Sequence, residues 1–260
     1  MAKTVAVVNQ KGGVGKTTTA VNLTAALHEM GRRVLLADFD PQANATSGMG
    51  VDKVAASPTV YDVLIRGTAC EKAVVRTPYG DLLPANKSLA GAGVEMIAIE
   101  GREHLLRSAL ATVADNYDFI IVDSPPSLEL LTLNVLCAAD SVLVPMQCEY
   151  YALEGLSDLM STLRVVRRSL NPGLALEGVL LTMYDGRTNL TMQVAAELKR
   201  FFPGQVYATP IPRNVRLSEA PSHGKPVLAY DGTARGAEAY RALAREFLEK
   251  NGVTAKEMES

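Results

Sequence analysis

The segment at residues 9–18, NQKGGVGKTT, combines glycines, two lysines and two threonines in a spacing that suits phosphate chemistry. Glycines allow the backbone to turn so that successive N–H groups point at one centre, and a helix that begins there adds the positive end of its dipole. Such a centre binds a polyphosphate. The spacing predicts that Lys16 reaches the β- and γ-phosphates and that the Thr17 hydroxyl binds Mg²⁺. A strand–helix turn with a solvated lysine is the alternative that needs no ligand.

Two further apolar segments end in acidic residues that could complete such a site. Asp38 and Asp40 follow the apolar residues 34–37, and Asp123 follows residues 119–122. Because open α/β sheets bind ligands at the carboxyl ends of their strands, we expect these acids beside the phosphate-binding segment. An apolar strand that delivers one carboxylate to a metal is typical of nucleotide hydrolysis, so Asp123 is the second predicted Mg²⁺ ligand. Asp-Pro pairs are also common in turns, so the plainer alternative is that Asp38 and Asp40 only begin a turn.

The elements that must position these residues alternate between short apolar runs and longer segments of helical period. This alternation predicts an α/β fold, a single domain with a mostly parallel twisted sheet and helices on both faces. Strands are predicted at Thr4–Val8, Arg33–Phe39, Asp81–Pro84, Phe119–Asp123, Ser141–Met146, Leu176–Met183 and Gln205–Thr209. Helices are predicted at Lys16–Met30, Glu103–Asn116, Leu128–Ala138, Leu153–Leu170, Met192–Phe202 and Arg235–Lys250.

The chain of 260 residues shows no linker or repeat that would divide it. We therefore expect one domain at residues 1–250 and a short polar tail at residues 251–260. Residues 43–101 have the weakest pattern, and we expect loops and short helices there, at one edge of the sheet.

Composition excludes several classes of protein. With 48% hydrophobic and 21% charged residues, the chain is neither disordered nor fibrous. Cys70, Cys137 and Cys148 lack the paired spacing of a disulfide framework or a metal site. The net charge of −2 excludes a globally basic nucleic-acid binder. No apolar run approaches the roughly 20 residues of a membrane-spanning helix and no signal-peptide pattern opens the chain, so we expect a cytoplasmic protein.

Residues 11–17, KGGVGKT, resemble the deviant Walker A motif K-G-G-x-G-K-[ST] of the ParA/MinD family of ATPases, with Gln10 where the common phosphate loop has its first glycine. The resemblance implies that ATP is sandwiched between two subunits and that Lys11 serves the nucleotide of the other subunit, like an arginine finger supplied in trans. The loop residues implied to bind ATP are Lys11, Gly12, Gly13, Val14, Gly15, Lys16, Thr17 and Thr18.

Residues 38–42, DFDPQ, resemble the D-x-D-P-Q motif of the same family. By that resemblance Asp40 orients or activates the attacking water, and Asp38 supports the network of Mg²⁺ and phosphate loop. The two prolines at residues 125–126 resemble the segment that senses the γ-phosphate in this family. The implied catalytic residues are Lys11, Lys16 and Asp40.

Residues 210–221, PIPRNVRLSEAP, are similar to the ParA/Soj branch of the family, in which this loop flanks the adenine. The resemblance assigns Pro212 and Asn214 to nucleotide contact, with Met183 as a neighbour. A proline-punctuated exit from an edge strand is the alternative. Because the phosphate loop begins near residue 10, we expect no N-terminal helix-turn-helix of the kind found in longer plasmid forms, and hence no role as an operator repressor.

Residues 186–226 carry six basic and two acidic residues, a local charge of +4 against −6 for the remainder. This asymmetry marks a candidate phosphate-binding face, with chance imbalance on a solvated surface as the alternative. The resemblance implies that an ATP-bound homodimer binds double-stranded DNA without sequence preference, with Arg187 and Arg216 as the first expected contacts. It also implies chromosome or plasmid partitioning, a nucleoid-associated location and a ParB-type centromere-binding partner that stimulates hydrolysis.

Three rival functions differ from this hypothesis in what they require. A MinD-like regulator of the division site would need a basic amphipathic C-terminal helix for the membrane, whereas residues 251–260 are acidic and almost without apolar anchors, so no membrane contact is expected. An iron–sulfur or metal carrier of the same fold would need paired cysteines. A nucleotide-sensing DNA coat with incidental hydrolysis has the same motifs, and only its ATP turnover would distinguish it.

Overall fold

A computed structural model describes residues 1–127, 129–149 and 152–253 of the chain. Seven strands form one sheet: β1 (Lys3–Val7), β2 (Val34–Asp38), β3 (Val75–Thr77), β4 (Gly80–Leu83), β5 (Phe119–Asp123), β6 (Ser141–Gln147) and β7 (Ala175–Thr182). Their order across the sheet is β3-β4-β2-β5-β1-β6-β7. All neighbouring pairs are parallel except β3 and β4, which form an antiparallel edge.

Helices cover both faces of this sheet. They are α1 (Lys16–Glu29), α2 (Asn44–Gly48), α3 (Val60–Arg66), α4 (Cys70–Ala73), α5 (Leu89–Glu95), α6 (Leu105–Ala111), α7 (Leu130–Ala138), α8 (Ala152–Ser169), α9 (Asn189–Phe201), α10 (Val215–Glu219), α11 (Val227–Tyr230) and α12 (Arg235–Lys250). Short 3₁₀ turns lie at Met96–Ala98, Arg102–His104, Ala114–Asn116 and Ala220–His223. None of the helices in the described ranges is long and apolar enough to cross a membrane.

The sheet separates two hydrophobic cores. Val5 and Val7 of β1 belong to the core with α1 and α12, while Ala6 and Val8 belong to the core with α6, α7 and α8. Because both faces of the central strands are covered, apolar residues follow one another along them without alternation. Helix α1 ends where Gly31 adopts a positive φ of 76°, a conformation that glycine takes without steric cost.

The predicted single-domain α/β fold with a mostly parallel sheet is confirmed, and six predicted strands lie within one residue of their predicted bounds. The predicted strand Gln205–Thr209 is wrong, because this segment makes only an isolated bridge between Val206 and Val179. The N–H groups of Ala208 and Thr209 donate instead to the carboxylate of Glu246, at 2.7 and 2.9 Å. The proline that follows has no N–H to extend a ladder.

Helix bounds differ from the predictions mainly where local caps act. The predicted helix Glu103–Asn116 is shorter, as α6, with 3₁₀ turns on both sides. Helix α9 begins three residues before the predicted Met192, because the Thr188 side chain accepts from Thr191 N and caps it. The predicted start of α7 at Leu128 and most of the predicted tail, residues 254–260, lie outside the described residues.

Candidate nucleotide-binding site

The phosphate-binding segment lies between the carboxyl end of β1 and the first turn of α1. Gly13 and Gly15 have positive φ values of 74° and 90°, so side chains at these two positions would strain the loop. The Gln147 side-chain amide donates to the Gly13 carbonyl oxygen at 2.8 Å, and the Thr182 hydroxyl donates to the Val14 carbonyl oxygen at 2.8 Å. Polar residues at the ends of β6 and β7 thus fix the loop by its carbonyl groups.

The N–H groups of the loop remain available for a ligand. Among the described residues, none accepts a hydrogen bond from the backbone N–H groups of residues 13–18. Lys16 is buried beside them and its Nζ donates to the Lys11 carbonyl oxygen at 3.0 Å. Burial lowers the pKa of Lys16, while Asp123 and Asp40 act in the opposite sense. The loop therefore presents free N–H donors and an ammonium group to one centre, which fits a polyphosphate.

The acidic residues meet at the carboxyl ends of adjacent strands. Asp38 of β2 pairs in register with Asp123 of β5, which pairs in register with Val7 at the end of β1. Both carboxylate oxygens of Asp123 are buried, and no described residue satisfies them with a hydrogen bond. Burial raises the pKa of Asp123 well above its usual range and Asp38 adds to this effect, while the Thr17 hydroxyl and Lys16 oppose it.

An orphaned buried carboxylate is costly unless it has a cationic partner. A magnesium ion takes oxygen ligands, and it is commonly held by one or two carboxylates together with phosphates. The Asp123 oxygens beside the Thr17 hydroxyl have that donor chemistry, so these two residues fit Mg²⁺.

Asp38 and Asp40 have different surroundings. Asp38 is fully buried and accepts from the backbone N–H and the hydroxyl of Thr46, both at 2.7 Å, and from Asp40 N at 3.2 Å. Burial raises its pKa to about 6 despite the hydrogen bonds from Thr46. Asp40 accepts Gln42 N on Oδ1 at 2.9 Å, and no described residue donates to its other oxygen. Asp40 is therefore the acid with an oxygen free for a further partner.

The Lys11 side chain lies at the surface and is paired within its own chain. Its ammonium forms an ion pair with Glu149, which follows β6, and both side chains are about half exposed. Its backbone is held by Asn9, whose Oδ1 accepts Lys11 N at 3.0 Å. The predicted catalytic lysine thus lies at the open surface of the site.

A cavity of about 340 Å³ opens beside the phosphate loop, between the ends of β7 and α12. The predicted residues Met183, Pro212 and Asn214 all line it, together with Gly15 and Thr18 of the loop. The Asn214 Oδ1 accepts Arg216 N at 2.8 Å and caps α10, which leaves its amide NH₂ without a described acceptor. The cavity thus has a polar edge next to the phosphate loop.

Arg187 and Arg216 follow two segments that are joined by an isolated bridge between Tyr184 and Pro212. Both side chains are paired within the chain. Arg187 makes a bidentate pair with Asp185 at 2.7 and 2.8 Å. Arg216 contacts Glu219 at 2.8 Å and Asp231 at 3.2 Å.

The fold and this loop define a P-loop ATPase, and a family model described as an AAA domain matches residues 2–176. The chain is 56% identical over 248 residues to the sporulation initiation inhibitor protein Soj of Bacillus subtilis. The aligned region covers 95% of this chain and 98% of that protein. It is 49% identical to the chromosome partitioning protein ParA of Myxococcus xanthus, covering 96% and 89%. The chain belongs to the ParA/Soj family of chromosome partitioning ATPases.

Solved structures share this fold. A structure of cobyrinic acid a,c-diamide synthase from Mycobacterium smegmatis, with bound ADP and magnesium, has a TM-score of 0.85 and 41% identity over 97% of this chain and 96% of that chain. The cell division ATPase MinD of Pyrococcus furiosus has a TM-score of 0.79 and 26% identity, covering 96% and 99%.

The sequence motifs pointed to the residues of the loop and the acidic segments, but not to the residues that form hydrogen bonds or ion pairs with them. It did not single out Gln147, Thr182, Thr46 or Glu149. Gln147 and Thr182 had a usable signal, because they are polar residues at the carboxyl ends of predicted strands. Thr46 and Glu149 lie in segments without a motif, and their roles depend on tertiary contacts.

Proposed function

We propose that this chain is an ATP-dependent partitioning protein of the cytoplasm, associated with the nucleoid. It is a Mg²⁺-dependent ATPase whose ATP-bound homodimer binds double-stranded DNA without sequence preference, and a ParB-type centromere-binding protein stimulates its hydrolysis. The observation that carries the proposal is the centre formed by free loop N–H groups, buried Lys16 and the unpartnered carboxylate of Asp123. Those groups suit a nucleoside triphosphate with its metal ion.

The residues of the site divide the work of hydrolysis. The loop N–H groups and Lys16 hold the phosphates and stabilise charge on the transferring group. Thr17 and Asp123 hold Mg²⁺, which when bound neutralises charge on the phosphate oxygens. Asp40 positions the attacking water with its free oxygen. Pro212 and Asn214 contact the base in the 340 Å³ cavity.

Dimerisation gives Lys11 its role. The ion pair with Glu149 keeps Lys11 near the surface at the open end of the site, where a second copy of the chain would meet it. Exposed pairs of this kind contribute little to stability, so exchanging Glu149 for phosphates of the facing subunit costs little. Lys11 would then act on the partner's nucleotide.

DNA binding follows from the two arginines. Arg187 and Arg216 lie on adjacent segments, and two copies in a dimer double the number of phosphates contacted. Contacts to phosphates carry no sequence information, so affinity should depend on salt and not on sequence.

The test is binding of purified protein to two unrelated duplexes across a salt series, with ATP or with ADP. In the Asp40→Ala background we expect a monomer with ADP, a dimer with ATP by sedimentation, and strong DNA binding only with ATP. Arg216→Ala should weaken binding to both duplexes alike and reduce the salt slope by about 0.9 per lost phosphate contact and protomer. Equal affinity in both nucleotide states would contradict the proposal. Steady ATP turnover that rises with DNA and partner excludes a passive DNA coat.

A further inference from the structure

Helix α8 is divided into an acidic half and a basic half. Its first two turns expose Glu154 and Asp158 and carry no cation. Its last two turns expose Arg164, Arg167 and Arg168, and no acidic residue lies between Asp158 and the end of the helix. We call these three arginines the α8 patch.

The α8 patch has no acidic partner in the part of the chain that the structure describes. Arg164 donates from Nε to the Met160 carbonyl oxygen at 3.3 Å and from Nη2 to the Ser161 hydroxyl at 3.2 Å, which orients its guanidinium. Neither Arg167 nor Arg168 makes a hydrogen bond or an ion pair with any described residue. The arginines border a groove of about 450 Å³ with Val165, whose side chain is prominently exposed at 65%. The N–H donors of Arg167 and Arg168 therefore face open solvent.

The α8 patch lies at the opposite end of the sheet from Arg187 and Arg216. Helix α8 leads from the carboxyl end of β6 to the amino end of β7, whereas Arg187 follows the carboxyl end of β7. The eight residues of β7 separate these ends by roughly 23 Å.

No basic surface joins the two regions along the helices that lie between them. The exposed side of α9 from Leu190 to Glu197 carries no cation and one acid, and Lys199 and Arg200 follow only at its far end. The first two turns of α8 expose only acidic charged residues, Glu154 and Asp158. A single duplex laid along these helices would meet apolar and acidic side chains in the middle of its path, so the α8 patch is a separate contact.

We propose that the α8 patch binds the phosphate backbone of a second DNA duplex, so that the ATP-bound dimer bridges two duplexes. This inference rests on the proposed function, which brings the protein to DNA through Arg187 and Arg216. Arginine forks match phosphate oxygens, and duplex DNA presents a charge about every 1.7 Å, so adjacent arginines on a helix find phosphates without a special register. Stabilisation of the helix dipole explains basic residues in the last turn only, and Arg164 lies before it.

The experiment measures two quantities on the same protein with ATP, in the Asp40→Ala background. One is affinity for a single labelled duplex in solution. The other is retention of that duplex on beads that carry an unlabelled duplex and bound protein. The variant is Arg167→Glu with Arg168→Glu. The control is Lys72→Glu with Arg245→Glu, which makes the same charge change at exposed positions on α4 and α12.

We expect the variant to keep single-duplex affinity within about twofold, to lose at least tenfold in retention, and to lower the salt slope of retention by about 1.8, or 0.9 for each of two phosphate contacts. The control should behave as the parent does. Equal retention by the variant and the parent would overturn the inference and leave the proposed function intact. Loss of binding to vesicles of anionic phospholipid, with retention unchanged, would assign the patch to a membrane surface and also overturn it. If the parent fails to bind a single duplex with ATP, the proposed function itself is wrong.

Discussion

At the scale of single residues, Lys16 and Asp40 lie in one site, but we expect their substitution to have different effects on ATP binding and turnover. Lys16→Ala takes a buried ammonium from the phosphate centre and should abolish ATP binding. Asp40→Ala leaves the loop N–H groups intact and should bind ATP while turnover falls by about a hundredfold or more. Binding of a fluorescent ATP analogue and release of phosphate measure the two effects.

Lys72→Ala, on the exposed face of α4, is the matched lysine control and should change neither quantity. A parallel loss of ATP binding in the Lys16 and Asp40 variants would show that the two roles are wrongly divided.

Arg216 carries a second prediction at this scale, because its cation is held by two carboxylates of its own chain. Those acids offset its attraction for phosphates. Glu219→Gln should therefore raise the affinity of the ATP state for any duplex by a small factor at low salt, because an exposed ion pair is weak and screened by salt. Glu71→Gln removes an exposed acid on α4 and serves as the control in the same anisotropy titration. Equal affinities for these two variants would mean that Glu219 does not mask Arg216.

At the scale of elements, the hydroxyl of Thr46 joins α2 to two strands. It donates to Asp38 at the end of β2 and accepts from Ala85 N, just after β4, at 3.0 Å. Thr46→Val removes both hydrogen bonds from a fully buried position and should lower the free energy of unfolding by about 1–3 kcal/mol. Thr46→Ser keeps the hydroxyl and should cost clearly less.

Urea unfolding with an unchanged m-value measures the difference. Similar losses in the two variants would show that the two hydrogen bonds of the hydroxyl are not the main source of the effect.

The central elements could be predicted from the sequence because their apolar runs are long and uninterrupted. Strands such as Phe119–Asp123 are buried on both faces, so burial acts on every residue and leaves a clear pattern. The phosphate loop could also be predicted from the sequence, because its glycines are required by the local backbone conformation.

The elements that could not be predicted depend on contacts between distant residues. Strand β3 has two half-buried residues and one exposed residue, and it exists because it pairs with β4. The backbone N–H groups of residues 208–209 donate to Glu246, which lies 37 positions or more further along the chain. No local sequence pattern predicts that contact. The pairing of Lys11 with Glu149 could not be predicted either, because these two residues are also far apart in the sequence.

At the scale of the whole molecule, the buried carboxylate of Glu177 connects the first strand to the last helix. Its side chain is 4% exposed and accepts from Lys3 Nζ at 2.6 Å, from the Ser141 hydroxyl at 2.7 Å and from Asn251 Nδ2 at 2.8 Å. Burial alone would raise the pKa of Glu177, but these hydrogen bonds outweigh it and lower the pKa.

Glu177→Gln should destabilise the protein by about 1–3 kcal/mol near pH 7, because the Lys3 ammonium loses its charged partner. A depressed pKa adds stability above the unfolded value of about 4.3, and that gain is lost as the pH falls through the folded pKa. The difference between the parent and the variant should therefore shrink on acidification below about pH 5, as followed by urea unfolding at several pH values. Asp115→Asn, at an acid with an 85% exposed side chain, is the control. A difference that is constant with pH would show that the charge of Glu177 contributes nothing.

The two edges of the sheet constrain how copies of this molecule can assemble. On one side, residues 205–213 cover β7 through backbone hydrogen bonds to Val179, Leu181 and Tyr184. On the other, β3 is only three residues long and carries the exposed Arg76, two features that discourage pairing with a further strand. Strand addition is thereby disfavoured at both edges of the sheet, so an array of copies would grow through side-chain contacts between helices and loops. Such contacts break and reform readily, and an array built from them can be dismantled without unfolding its subunits.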